Sequence, residues 1–164
     1  MTDATTATTG GASAWWGRFP GVERTESRDG IESLRVDAQR WSEFAAAAQA
    51  AGFARFLDLT AVDDPAVPLR FDVQLLLYSV SERRWLRLRA STAGTLASLT
   101  AVFPAANWYE REVFDLFGVR FDGHPDLVRI LLPDDYPSHP LRRDHPLGDV
   151  PIDFTVTREV DSAW

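Results

Sequence analysis

Phe71-Asp-Val-Gln-Leu-Leu-Leu-Tyr-Ser-Val-Ser-Glu-Arg-Arg-Trp-Leu-Arg-Leu88 decides the fold class. Phe71, Val73, Leu75 and Leu77 alternate with other residues, the period of a strand with one buried face. Ser79 to Arg83 supplies a short turn, and Trp85, Leu86 and Leu88 begin a second strand. Two strands joined so briefly must run antiparallel. Working upstream, Phe53 to Leu59 reads as a strand, followed by a loop at Asp63, Asp64, Pro65 and Pro68. Before it, Trp41, Phe44, Ala45 and Ala48 keep helical spacing, with Asp37 as the N-cap and Gly52 as the stop after Ala51. Ile31 to Val36 alternates weakly and is expected to form the first strand. Downstream, a short helix is expected around Leu96 to Ala101, and a stronger one from near Asn107 to Gly118. The order β-α-β-β-β-α-α predicts an α+β domain, a mainly antiparallel sheet with helices on one face.

The chain has 164 residues and is 45% hydrophobic, enough for one core burying roughly 70% of its unfolded surface. Its net charge of -7 argues against general nucleic-acid binding, which wants a basic face. It has no cysteine, which excludes disulfides and thiolate-held clusters, and its 17 basic residues are all arginine, so there is no lysine nucleophile. Phosphate-loop, dinucleotide and nucleophile-elbow motifs are missing. No segment has the ~20 apolar residues of a membrane span. Residues 1–14 read as a solvated tail, 15–120 as the α+β domain and 121–164 as a long extended arm.

The arm holds six of the ten prolines, between Pro125 and Pro151. Proline removes a donor and forces its predecessor into extended geometry. Yet Leu127, Val128, Ile130, Leu131, Leu132, Leu141, Leu147, Ile152 and Phe154 are apolar. An extended apolar segment needs a surface for its side chains and partners for its backbone. That surface is either a neighbouring protein or the chain's own domain.

Several residues stand out. In the helix after Asn107, Tyr109, Val113, Phe114, Leu116 and Phe117 share an apolar face, with Arg111, Glu112 and Asp115 opposite. Glu110 falls inside that face, where a carboxylate must be paired, hydrogen-bonded or protonated. It either closes a capping box with Asn107 or pairs with Arg142 or Arg143 to fix the arm. His124, His139 and His145 each precede proline at spacings that match no compact metal site, and are expected to make local hydrogen bonds. Arg142 and Arg143 beside Asp144 present guanidinium forks suited to carboxylates, including those of another protein, or form a solvated turn. Arg83, Arg84, Arg87 and Arg89, interleaved with Trp85, Leu86 and Leu88, read as charges guarding an edge strand rather than as a patch for phosphates or acidic lipid, because the whole chain is acidic.

Trp108-Tyr-Glu-Arg-Glu-Val-Phe-Asp-Leu-Phe-Gly-Val-Arg-Phe-Asp-Gly-His-Pro-Asp-Leu127, with Arg129-Ile-Leu-Leu-Pro133 and His139-Pro-Leu-Arg-Arg-Asp144, resembles the C-subunit family of bacterial NADH–quinone oxidoreductase, whose mitochondrial counterpart is the thirty-kilodalton-type subunit of complex I. Ser138 stands where that family usually has glycine, and Val128 where a basic residue is common. The resemblance implies a non-catalytic subunit of the peripheral arm, on the cytoplasmic side of the cell membrane and in only indirect contact with it. It would dock to the quinone-site subunit, which is related to hydrogenase large subunits, and to the terminal iron–sulfur subunit. This chain would hold no cofactor, with FMN and iron–sulfur clusters on partner subunits. The whole complex would oxidise NADH, reduce a quinone and pump protons. Glu110, Arg111, Glu112, Asp115, His124, His139, Arg142, Arg143 and Asp144 are the structural and interface residues it implies. The alternatives are the equivalent subunit of a membrane-bound hydrogenase or other-donor quinone reductase, and an independent soluble enzyme.

Overall fold

The computed structural model describes residues 15–25 and 27–144. The expected tail, and His145, Leu147, Ile152 and Phe154 of the arm, lie outside them.

The alternating stretch forms β4 (Phe71–Ser79) and β5 (Arg84–Thr92), paired antiparallel with Leu75 opposite Leu88. Strand β3 (Arg55–Asp63) flanks β4 antiparallel, with a bulge between Phe56 and Asp58. On the other side β2 (Glu32–Arg35) pairs parallel with β5, and β1 (Glu23–Thr25) closes that edge antiparallel to β2. The sheet order is therefore β1-β2-β5-β4-β3. The inward residues Leu59, Ala61, Val73, Leu75, Leu77, Leu86, Leu88 and Ala90 are all buried. Against them lie α1 (Trp41–Ala50), burying Trp41, Phe44, Ala45 and Ala48, and α2 (Ala106–Phe117), burying Ala106 and Val113. Apolar burial on this scale, at about 25 cal/mol per Å², is the main drive to fold. Asp37 caps a single 3-10 turn, its Oδ1 accepting from the Gln39 N–H at 2.8 Å, and α1 follows directly. Gly52, with φ +101°, turns the chain out of α1 where an L side chain would be strained.

Three expectations need correction. The short helix at Leu96 to Ala101 is instead β6 (Thr95–Ala97), pairing parallel with β7 (Arg120–Asp122). The Thr92 hydroxyl accepts from the N–H groups of Gly94 and Thr95, which reverses the chain into a strand. The N–H groups of Val102 and Phe103 both reach the Leu99 carbonyl, so only one turn forms before Pro104. Second, β5 is an interior strand, so its arginines do not guard an edge. Arg84 pairs with Glu32 at 2.7 Å, Arg87 with Asp29 at 2.7 Å and Arg89 with Asp72 at 2.5 Å, lacing the outward face of the sheet. Third, β1 is a strand too short for periodicity to reveal. Strand β7 also runs across the 120/121 boundary drawn from sequence.

Candidate functional site

The site is built on α2 and the arm segment that returns to it. An α-helix leaves its last four carbonyls without helical partners. In α2 these belong to Phe114, Asp115, Leu116 and Phe117, and all four are satisfied. Gly118, left-handed at φ +73°, donates its N–H to the Phe114 carbonyl at 2.8 Å. The arm supplies the other three donors. His139 Nδ1 donates to the Asp115 carbonyl at 2.8 Å, the Leu141 N–H to Leu116 at 3.1 Å and Arg142 Nε to Phe117 at 2.6 Å. The arm is thus the C-cap of α2, with cationic groups at the negative end of the helix dipole.

Asp115 anchors the same segment through its side chain. Its Oδ2 accepts from three consecutive backbone N–H groups, Ile130 at 3.1 Å, Leu131 at 2.8 Å and Leu132 at 3.0 Å. Its Oδ1 accepts from Arg129 Nη1 at 2.7 Å, and Arg129 Nη2 reaches the carbonyls of Tyr136 and Ser138. Asp115 is fully buried although the helical wheel puts it opposite the apolar face. The arm covers it. Burial pushes its carboxyl up, but the N–H groups of Leu132 and Leu131, the Arg129 guanidinium and the Ile130 N–H outweigh burial and hold it below the ordinary carboxylate range.

A second clamp joins the end of the described arm to the sheet. Arg70 forks onto Asp63 through Nε at 2.6 Å and Nη2 at 2.5 Å, and reaches Asp144 through Nη1 at 2.9 Å. The Arg143 N–H donates to Asp63 Oδ2 at 2.8 Å. Hydrogen bonds from Arg70 hold the Asp63 and Asp144 carboxyls low, against the desolvation that would raise them. The arm from Gly123 to Asp144 therefore lies on the chain's own domain.

Both readings of Glu110 are overturned. The N-cap of α2 is Ala105, with no side-chain cap, so there is no capping box. Neither Arg142 nor Arg143 reaches the carboxylate. Instead Glu110 Oε1 accepts from the Leu99 N–H at 2.6 Å and Oε2 from the Ser98 hydroxyl at 2.7 Å. Burial pushes its carboxyl up to about 7, with these two hydrogen bonds pulling the other way. The His124 Nε2 lies 4.0 Å from Oε2 and both side chains are inaccessible.

The remaining residues divide cleanly. Arg111 holds the Val128 carbonyl at 3.0 Å and the Arg129 carbonyl at 3.2 Å, and stacks over Trp108. Glu112 is exposed, outside the cluster. His124 accepts locally from the Asp126 N–H, as expected, but also bonds the Asn107 carbonyl of α2, and His139 bonds α2 rather than its neighbours. Sequence reasoning missed Arg129, Asp63, Arg70 and Ser98. Only Asp63 carried a signal: it has the inward parity of Leu59 and Ala61 on β3.

The family described as respiratory-chain NADH dehydrogenase, 30 Kd subunit, matches residues 34–151. The NADH-quinone oxidoreductase C subunit from Salinispora tropica is 50% identical over 88 residues, covering 52% of this chain and 36% of the relative. Its counterpart from Caulobacter vibrioides is 47% identical over 140 residues, covering 84% and 66%. The chain thus spans about a third to two thirds of the length of these relatives. Among solved structures, a trypsin-resistant fragment of Nqo5 superposes with TM-score 0.60 at 31% identity, over 65% of this chain and 90% of that one. A chain of the membrane-bound sulfane sulfur reductase, an archaeal respiratory membrane complex, superposes with TM-score 0.71 at 25% identity, over 81% and 82%.

Proposed function

Because this chain belongs to the family of 30 kDa subunits of respiratory-chain NADH dehydrogenase, we propose that it is a non-catalytic scaffold in the peripheral arm of a proton-pumping NADH–quinone oxidoreductase. It docks to the quinone-site subunit and the terminal iron–sulfur subunit on the cytoplasmic side of the membrane. FMN and the iron–sulfur clusters sit on those partners and their neighbours, and this chain touches the membrane only through them. Among the described residues no helix is long and apolar enough to cross a membrane, which fits a subunit held there by others.

The observation that carries this reading is the exposed apolar surface on α2 and the clipped arm. Trp108 is 63% exposed, Leu131 60%, Leu141 51% and Val128 46%. Trp108 is on α2 itself, and Val128, Leu131 and Leu141 sit on backbone that Arg111, Asp115 and the α2 carbonyls hold. An exposed tryptophan with an arginine stacked on it has the composition of an interface hot spot. Glu112 on the same helix, and Arg143 and Asp144 at the end of the described arm, are exposed charges available to a partner.

The test is affinity purification of the tagged full chain from solubilised membranes. Cluster-containing partners are expected to come with it, and the double variant Trp108→Ser/Leu131→Ser is expected to lose them while melting within about 3 °C of the native chain, as surface changes do. Recovery without such partners, or undiminished recovery by the variant, refutes the reading.

A second reading is favoured by the likeness to the sulfane sulfur reductase chain: the same fold serves in a complex with other redox chemistry. Flavin and NADH–quinone activity in the co-purified complex support the first reading. A nickel site or another electron donor supports the equivalent subunit of a related hydrogenase or reductase.

A further inference from the structure

We propose that Glu110 is a buried protonation site, and that proton uptake there closes the joint where β6, α2 and the start of the arm meet. The inference is independent of which partners the chain binds.

Three segments converge on this carboxyl. From the turn after β6 come the Ser98 hydroxyl and the Leu99 N–H. Glu110 itself belongs to α2, and from the arm comes the His124 imidazole, 4.0 Å from Oε2 and bonded to the Asn107 carbonyl of α2 at 3.2 Å. The Ser98 N–H in turn donates to the Asp122 carbonyl at 2.8 Å, so the turn also holds the end of β7. Leu99, Val113 and Phe121, all nearly inaccessible, belong to the one hydrophobic core of the domain.

An ionised Glu110 meets only two neutral donors, the Leu99 N–H and the Ser98 hydroxyl, and the geometry turns no cation towards it. Among the described residues His124 is the one cationic candidate within 4.0 Å. Its Nδ1 accepts the Asp126 N–H at 3.0 Å, so that nitrogen carries no proton. Its Nε2–H is accepted by the Asn107 carbonyl at 3.2 Å, so the ring's donor is spent on that carbonyl and not on Glu110. Arg111 points away, to the carbonyls of Val128 and Arg129. Asp122 and Asp126 are exposed and contribute backbone groups here, not charge.

The neutral acid, by contrast, is satisfied. With the proton on Oε2 it donates to the Ser98 oxygen, and that hydroxyl donates onward to Thr100 Oγ1 at 2.8 Å, while Oε1 keeps the Leu99 N–H. A carboxylate desolvated among neutral donors binds its proton more tightly than in water, in keeping with the rise from the ordinary 4.5 to about 7. The sign follows. The opened joint ionises first, so protection is complete below 4.5, falls as pH rises towards 7 and is flat above it.

Amide exchange of the full chain between pH 5 and 8 tests this. After correction for intrinsic rates, protection of Ser98, Leu99 and the 120–126 segment is expected to fall by roughly two orders of magnitude between pH 5 and 7. In Glu110→Gln it is expected to stay high and constant. Flat protection in the native chain, or the same fall in the Gln variant, overturns the proposal. Infrared titration of the native chain needs no variant: a protonated-carboxyl band that persists at pH 6 and disappears by pH 8 is expected, and its absence at pH 6 overturns the proposal.

Discussion

Asp115→Asn keeps the size and shape of the side chain that gathers the arm and removes only its charge. The amide oxygen can still accept from Ile130, Leu131 and Leu132 if it takes the Oδ2 position. The amide nitrogen then faces Arg129 Nη1, 2.7 Å from the present Oδ1, and two donors meet. Removing one member of a buried ion pair costs about 3–5 kcal/mol. The Arg129 side chain is 15% exposed and keeps the carbonyls of Tyr136 and Ser138, so the lower end applies, about 3 kcal/mol. That raises the released fraction of the arm roughly 100-fold. Limited trypsin digestion reads it directly. In the native fold Arg129 is committed to Asp115 and cannot enter a protease pocket, whereas Arg120 and Arg143 are exposed. In the open–close regime cleavage tracks the released population. Cleavage after Arg129 should therefore accelerate by about two orders of magnitude, while cleavage after Arg143 changes little. A rate after Arg129 within threefold of the native chain would show that the arm is not held by this charge.

Three further outcomes are expected. Gly118→Ala places a methyl 2.6 Å from the His139 ring and into Arg142, at a φ of +73°, and should cost about 2–4 kcal/mol, read by thermal melting. Ser138→Ala should stabilise by roughly 1 kcal/mol, because the Ser138 hydroxyl is buried without a partner, while the Arg129 bond to its carbonyl survives; a lower melting temperature would refute this. Asp115 and Asp63 have depressed proton affinities in the fold, so the stability they confer is whole above the ordinary 3.8 and is lost as pH falls below it. Tryptophan fluorescence followed from pH 6 to pH 2 should show an acid transition below pH 4, which Asp115→Asn should weaken.

The parts of the fold that follow a local period are readable. Strands β4 and β5, helix α1 and the stop at Gly118 each declare themselves in fewer than a dozen residues. What fails depends on pairing across long separations. Arg87 and Arg89 look the same on an edge or an interior strand, and only the parallel partner β2 makes them interior. Asp115 looks solvated because a helical wheel knows only the face turned to the sheet. The surface that buries it begins 14 residues later, in a segment with no period to read. Glu110 is conspicuous as a carboxylate in an apolar face, but its partners come from the turn after β6, which sequence alone presents as a helix.

The clip also bears on how an arm of this kind could dock. An apolar, proline-punctuated segment suggests a chain that orders itself only on a neighbour. Ordering backbone costs roughly 1–2 kcal/mol per residue, and a segment ordered on docking subtracts that from its affinity. Here residues 129–132 and 139–143 are already held by Asp115, by the α2 carbonyls and by Asp63. The ordering cost falls on folding of the domain, where burial of the core offsets it. A partner docking as proposed would then meet Leu131 and Leu141 in fixed positions, and its contact area would convert to affinity with less loss. On this argument Asp115→Asn should weaken docking even though Asp115 is inaccessible to any partner. A variant that frees the arm, measured by trypsin cleavage after Arg129, yet co-purifies partners at native yield and with native dissociation rates would show that preorganisation contributes nothing.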